Sequence, residues 1–142
     1  MRTFRLATPE DIPALAELAV EANQTDVGLP DLVFVAEQDG KIVAAGGLQL
    51  DQPGMVIATG AIVHPDFYRK PFLIFRLQEF AEDWLIQHGC TAYVFSVSKR
   101  NTRMQRWMEK LGAKRYAKKH GAFWYIRTIG PHRDALAEET AA

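Results

Sequence analysis

At 142 residues the chain is one domain's worth, long enough to bury a core of its own. Apolar residues make up 48% and charged residues 24%, with 17 Lys plus Arg against 17 Asp plus Glu; this is an ordinary soluble globular composition, and no overall charge points to nucleic acid or a membrane surface. The single cysteine, Cys90, excludes an internal disulfide and any multi-cysteine metal site, and it suits a reducing compartment.

The opening MRTFRLATPED holds no apolar signal-peptide core, and no apolar run reaches the roughly 20 residues of a membrane helix. The expectation is a cytoplasmic protein with no membrane partner and no metal. TFRLA (3–7) alternates as a short strand. Thr8 then caps a helix with Pro9 at its first position, Glu10 and Asp11 in its first turn, and Ile12, Leu15, Ala16, Leu18 and Ala19 as its apolar stripe. NQTDVGLPD (23–31) reads as loop or broken helix. LVFVAE and KIVAAGGLQL flank Gln38-Asp39-Gly40, a strong hairpin signal, and Gly46-Gly47 inside the second run predicts a bulge or a close backbone approach. QPG (52–54) turns the chain into MVIATGAIV (55–63), read as one long buried strand ending at His64-Pro65.

Pro71 opens the next helix, in which Leu73, Leu77, Phe80, Ala81 and Trp84 follow helical spacing and Gly89 is the stop. The stripe Phe72, Leu77, Phe80, Trp84 is read as core. TAYVFSV (91–97) is a continuous strand run. Ser98 or Asn101 caps a last helix with Met104, Trp107, Met108 and Leu111 on its core face and Gly112 as its stop. Two strands, roughly 113–119 and 122–129, meet at His120-Gly121. The polar, alanine-rich segment 130–142 is set apart as a tail, leaving one domain over 2–129. The order is β-α-β-β-β-α-β-α-β-β, which predicts a mixed α+β sheet with helices on both faces and runs 56–63 and 91–97 as neighbouring parallel strands.

The charge is unevenly placed. Between Lys99 and Lys119 there are nine basic residues and one acid, Glu109, so this segment is +8 and the rest of the chain −8. Lys99, Arg103, Arg106 and Lys110 fall on one helical face opposite Met104, Trp107 and Leu111. Such a face is either solvated and partly neutralised by acids elsewhere, or it holds an anion: a cofactor phosphate or a nucleic-acid backbone. His64-Pro65 reads as a strand end and Cys90 as a small core residue. Tyr68 and Arg69 are open to two readings, phosphate contact or solvated loop.

The stretches RLATPEDIPALAELA, VFVAEQDGKIVAAGGLQL, IVHPDFYRK and NTRMQRWMEKLGAKR, in that order and spacing, resemble the GNAT (Gcn5-related N-acetyltransferase) superfamily over residues 2 to 129. The resemblance implies a GNAT-like acyl-CoA N-acyltransferase fold in which acetyl-CoA, or another acyl-CoA, lies in a wedge between two splayed central strands. An amine acceptor, on a small molecule or a protein, would attack the thioester directly. By position, backbone N–H groups of Ile62 and Val63 would polarise the thioester carbonyl. The cofactor would be bound by Val63, Tyr68, Arg69, Lys70, Phe72, Leu73, Asn101 and Arg103, with amides around Arg69 to Leu73 and the helix N-terminus holding the pyrophosphate. The acceptor would enter over NQTDVGLPD and the hairpin around Gln49 to Pro53.

The departures are specific. Counted from Arg69, the two glycines of the family's cofactor loop fall on Phe72 and Ile74. Those glycines let amides at a helix N-terminus approach phosphate, and Pro71 removes one donor as well. The family's tyrosine acid falls on Met108, so Ser98 and Tyr116 remain as acid candidates. No carboxylate in MVIATGAIV offers a general base. An acyl-CoA-dependent N-acyltransferase with an atypical cofactor loop is the first reading. A catalytically inactive protein on the same fold, using the cleft or the basic helix as a binding surface, is the second, with a nucleic-acid partner for that helix as a third. The assembly would be a monomer or a homodimer.

Overall fold

Two turns with left-handed backbone set the antiparallel parts of the sheet. Asp39 (φ 53°) and Gly40 (φ 81°) join β2, Leu32–Gln38, to β3, Lys41–Gln52; His120 (φ 53°) and Gly121 (φ 75°) join β7, Lys114–Lys119, to β8, Ala122–Thr128. Two consecutive positive φ values make the tight turn whose twist matches paired strands. The computed structural model describes residues 1–24, 30–52 and 55–130. The expected turn at Pro53-Gly54, most of the expected loop after Gln24, and nearly all of the expected tail lie outside the described residues.

The remaining elements are β1, Arg2–Leu6; α1, Ile12–Glu21; β4, Met55–Ala58; β5, Ile62–Val63; α2, Pro71–Gln87; β6, Ala92–Ser98; and α3, Thr102–Lys110. The strand order is β1-β2-β3-β4-β6-β8-β7, with β5 on β3. Neighbours are antiparallel except β4 and β6, which are parallel with Ile57 opposite Val94, as the helix between them requires. Thr8 enters α1 through a short 3-10 turn, Pro9–Asp11, and its N–H donates to the Asp11 carboxylate at 2.7 Å.

Amphipathic spacing decides which face each helix covers. Leu73, Leu77 and Leu85 of α2 are buried among Phe34, Phe95 and Tyr125 on one face of the sheet. Met108 of α3 joins the same core, where Phe75 lies on Trp107 with ring centroids 3.8 Å apart. Truncating a fully buried leucine such as Leu73 to alanine costs about 2–5 kcal/mol. Leu18 of α1 packs on the other face with Val35, Ile42 and Ala45. The fold is thus the mixed α+β sheet expected, with two corrections. Phe72 is 73% exposed, because it sits one residue off the buried stripe that begins at Leu73. The run 55–63 is two strands, not one, and the interruption shapes the site.

Candidate active site

Thr59 N–H donates to the Gly47 carbonyl and His64 N–H to the Val43 carbonyl, each at 2.8 Å, while Ile62 stands opposite Ala45. From Thr59 to Ile62 the chain advances three residues as β3 advances two, so one residue is extra. That is a β-bulge at Gly60–Ala61, and a bulge bends its strand out of the ladder. The bulge lies across from the glycine pair, whose own reading resolves as close approach: a Cβ on Gly47 would stand 2.7 Å from Thr59 Oγ1 and 2.8 Å from Pro30 Cβ.

Past the bulge the sheet splits. β5 stays on β3, β6 stays on β8 along its whole length, and among the described residues nothing pairs the edge of β5 that faces β6. Successive amides of a strand point to opposite edges. Since His64 N–H is spent on β3, Val63 N–H points into the split, whereas Ile62 N–H points back to β3.

Two cavities open on the split from opposite faces. One, about 200 Å³, lies under α2 between Ile74, Leu77, Val97 and Met104, and reaches Gln78, Glu82 and Tyr93 at its inner end. The other, about 360 Å³, lies against α1. Gly46, Gly47, Thr59 and Gly60 line both. Glycines and the bulge therefore thin the sheet where the cavities meet.

The inner end of the first cavity is a buried polar network. Glu82 Oε2 accepts from Arg127 Nε at 2.6 Å and from Tyr93 OH at 2.7 Å; Gln78 Nε2 donates to Tyr93 OH at 3.1 Å, and Arg127 Nη1 donates to the Leu111 carbonyl. Burial, then the Glu82 charge and hydrogen bond, push the Tyr93 phenol far up. Burial pulls Arg127 down, but the hydrogen bond and charge of Glu82 more than offset this, so it is raised. Tyr93 and Arg127 therefore keep their protons near neutrality. Gln78, Glu82 and Tyr93 line the inner end of the cavity.

At the mouth, α2 begins with Pro71, and Lys70 at the N-cap position makes no side-chain hydrogen bond to the first turn. Tyr68, Arg69 and Lys70 are exposed beside it. The ring of Phe72 stands in solvent, so it does not fill the space under the helix end, and Leu73 is buried in the core. Of the two expected obstructions, only Ile74 lines the cavity. Asn101 caps α3, its Oδ1 accepting from Met104 N–H at 3.1 Å.

The acid candidates fall differently. Ser98 is exposed at the end of β6, where its Oγ accepts from Arg100 N–H at 3.3 Å. Tyr116 is 55% exposed on edge strand β7, and β8 separates it from β6, about 10 Å away at the usual strand spacing. Met108 is buried and lines the cavity. His64 has both ring nitrogens engaged: Nδ1 accepts from Asp66 N–H at 3.1 Å, which leaves the proton on Nε2, 2.8 Å from Glu21 Oε2. It ties β5 to α1. Cys90 packs against the core.

The basic segment is less neutralised than a solvated, paired face implies. Among the described residues its one ion pair is Arg115 with Glu109 at 3.4 Å. Arg103, Arg106 and Lys110 are exposed, and contact with Lys118 holds Lys99 below the usual lysine range. No cluster of three metal-ligating side chains occurs among the described residues, and no helix there is long and apolar enough to cross a membrane.

The split sheet, with a helix N-terminus at its mouth, defines the acyltransferase fold that the sequence resembles. The chain belongs to the acetyltransferase (GNAT) family, whose profile matches residues 3–113. Among solved structures it is similar to the ribosomal-protein-S18-alanine N-acetyltransferase from Escherichia coli (21% identity, TM-score 0.75, covering 92% of this chain and 95% of that one). It is also similar to the PaiA N-acetyltransferase from Thermoplasma acidophilum in complex with coenzyme A (15% identity, TM-score 0.76, 91% and 99%). A third is an acetyltransferase of the GNAT family from Streptococcus pneumoniae (17% identity, TM-score 0.74, 92% and 100%). At these identities the likeness is one of fold. The curated protein sequences contain no match.

Proposed function

We propose that the chain is an acyl-CoA-dependent N-acyltransferase that moves an acetyl or other short acyl group to a primary amine. The observation that carries this is the unpaired split between β5 and β6, with Val63 N–H facing into it. Family membership and a similar structure in complex with coenzyme A support the cofactor.

The residues present fit that cofactor. Free strand edges suit an extended arm that carries amides. Arg69 and Lys70 suit a pyrophosphate, beside an α2 N-terminus that no side chain caps, although Leu73 N–H donates to the Lys70 carbonyl at 3.2 Å. Phe72 leaves this helix end clear, and Ile74 narrows the slot. Asn101 fixes the start of α3 beside Arg103. Bound there, acyl-CoA would supply a thioester whose carbon–sulfur bond breaks as the amine nitrogen takes the acyl group and its surplus proton passes to sulfur. Val63 N–H would donate to the carbonyl oxygen as charge grows on it, an interaction worth about 10²–10³ in kcat where it has been removed from other enzymes. With Met108 at the family's acid position and no carboxylate nearby on β4 or β5, proton transfer falls to water.

Free thiol released from acetyl-CoA, on addition of a panel of primary amines, tests the reading. Amine-dependent release supports it. Release at the rate of uncatalysed hydrolysis with every amine would reject it.

A further inference from the structure

Resting on that reading, we infer that the cavity against α1 is the acceptor site, and that it selects a small primary amine carried on an uncharged, apolar body. The cavity meets the cleft under α2 at Gly46, Gly47, Thr59 and Gly60, so a group bound against α1 reaches the reacting centre through the thinned sheet. Its walls are the apolar face of α1 (Ile12, Leu15, Ala16, Ala19) facing Pro30 and Val33, and Ile12 and Val20 present 46% and 65% of their surface. Exposed aliphatic side chains gathered at one concavity mark a binding surface. Among the described lining residues none is charged, and Thr59 supplies the hydroxyl at the junction.

This chemistry fits one kind of amine. A polyamine or a basic amino acid would bring a second charge against a wall whose described residues carry none to pair it, at a desolvation cost. An arylalkyl amine buries its body and brings only the reacting nitrogen to Thr59. Desolvation also disfavours the ammonium form and lowers its pKa, so the nitrogen sheds its proton to solvent more readily before attack. The groove thereby does part of the work of a general base. A volume of about 360 Å³ is that of a small-molecule pocket.

The test is calorimetry on the full chain, with phenethylamine, putrescine and an alanine-initiated peptide titrated separately, each with and without CoA. Phenethylamine should bind at least about tenfold more tightly than putrescine or the peptide, the factor that burying one or two methylenes supplies. Ala16→Trp, on the exposed side of the groove, should weaken phenethylamine by about tenfold or more and leave CoA affinity unchanged. Putrescine or the peptide binding as tightly, or Ala16→Trp without effect on phenethylamine, would overturn the inference while CoA binding kept the activity standing. Phenethylamine bound in the groove with CoA not bound at all would keep the groove and reject the transferase.

Discussion

Glu82 is a carboxylate on the buried stripe of α2, 2% exposed, tied to Arg127 and Tyr93 from two different strands. Removing one partner of a buried pair leaves an uncompensated charge, so Arg127→Met should cost about 3–5 kcal/mol. Chemical denaturation checks this, and Glu82→Gln combined with Arg127→Met should cost less than the two single changes added. Asp11 has a different role at the surface. The Arg5 guanidinium, first, and the Thr8 N–H hold its carboxyl well below the usual carboxylate range. A carboxylate depressed in the folded state contributes stability above its unfolded pKa, about 3.9, and loses it as pH falls through the folded value. Asp11→Asn should therefore be less stable than the parent at pH 7, and the gap should close as pH drops below about 4. Thermal unfolding over a pH series reads both parts.

At the scale of elements, the bulge between β4 and β5 separates two amides that look alike in sequence. Ile62 N–H belongs to the ladder with β3, and Val63 N–H points into the split. Proline at each position removes one donor. Val63→Pro should lower kcat about 10²–10³-fold and unfold at a higher temperature than Ile62→Pro, which breaks a ladder bond. The reverse ranking in thermal unfolding would mean that the amides point the other way. On α3, Met108 lines the cleft, so Met108→Tyr places a phenol there. Overpacking should cost about 1–3 kcal/mol, while transfer should hold or rise, within the roughly 10²–10⁴-fold that acid catalysis supplies. A large loss of rate with folding intact would place the acid elsewhere.

Across the whole molecule, legibility follows the range of the interaction. The turns at Asp39-Gly40 and His120-Gly121, the start of α2 at Pro71 and the cap at Asn101 are local, and the sequence carries their chemistry in two to four residues. The split is not local: it needs Thr59 and His64 bonded to β3 and β6 held by β8, and only Gly60 inside an apolar run hinted at it. The Glu82 network joins α2, β6 and β8, yet two signals for it were present. Glu82 interrupts an apolar stripe between Ala81 and Leu85, and Arg127 stands two residues from both buried Tyr125 and buried Ile129. Phe72 falls outside the core because helical spacing fixes the stripe only to within a residue at a helix end. The proposed function requires that the cleft under α2 still admits the cofactor although Ile74, at one of the two positions aligned with the family's glycines, lines it. Titration calorimetry of the chain with acetyl-CoA tests it most directly. Saturable binding of one molecule in the micromolar range, about −8 kcal/mol, is the predicted result, and no binding up to millimolar concentration would contradict it.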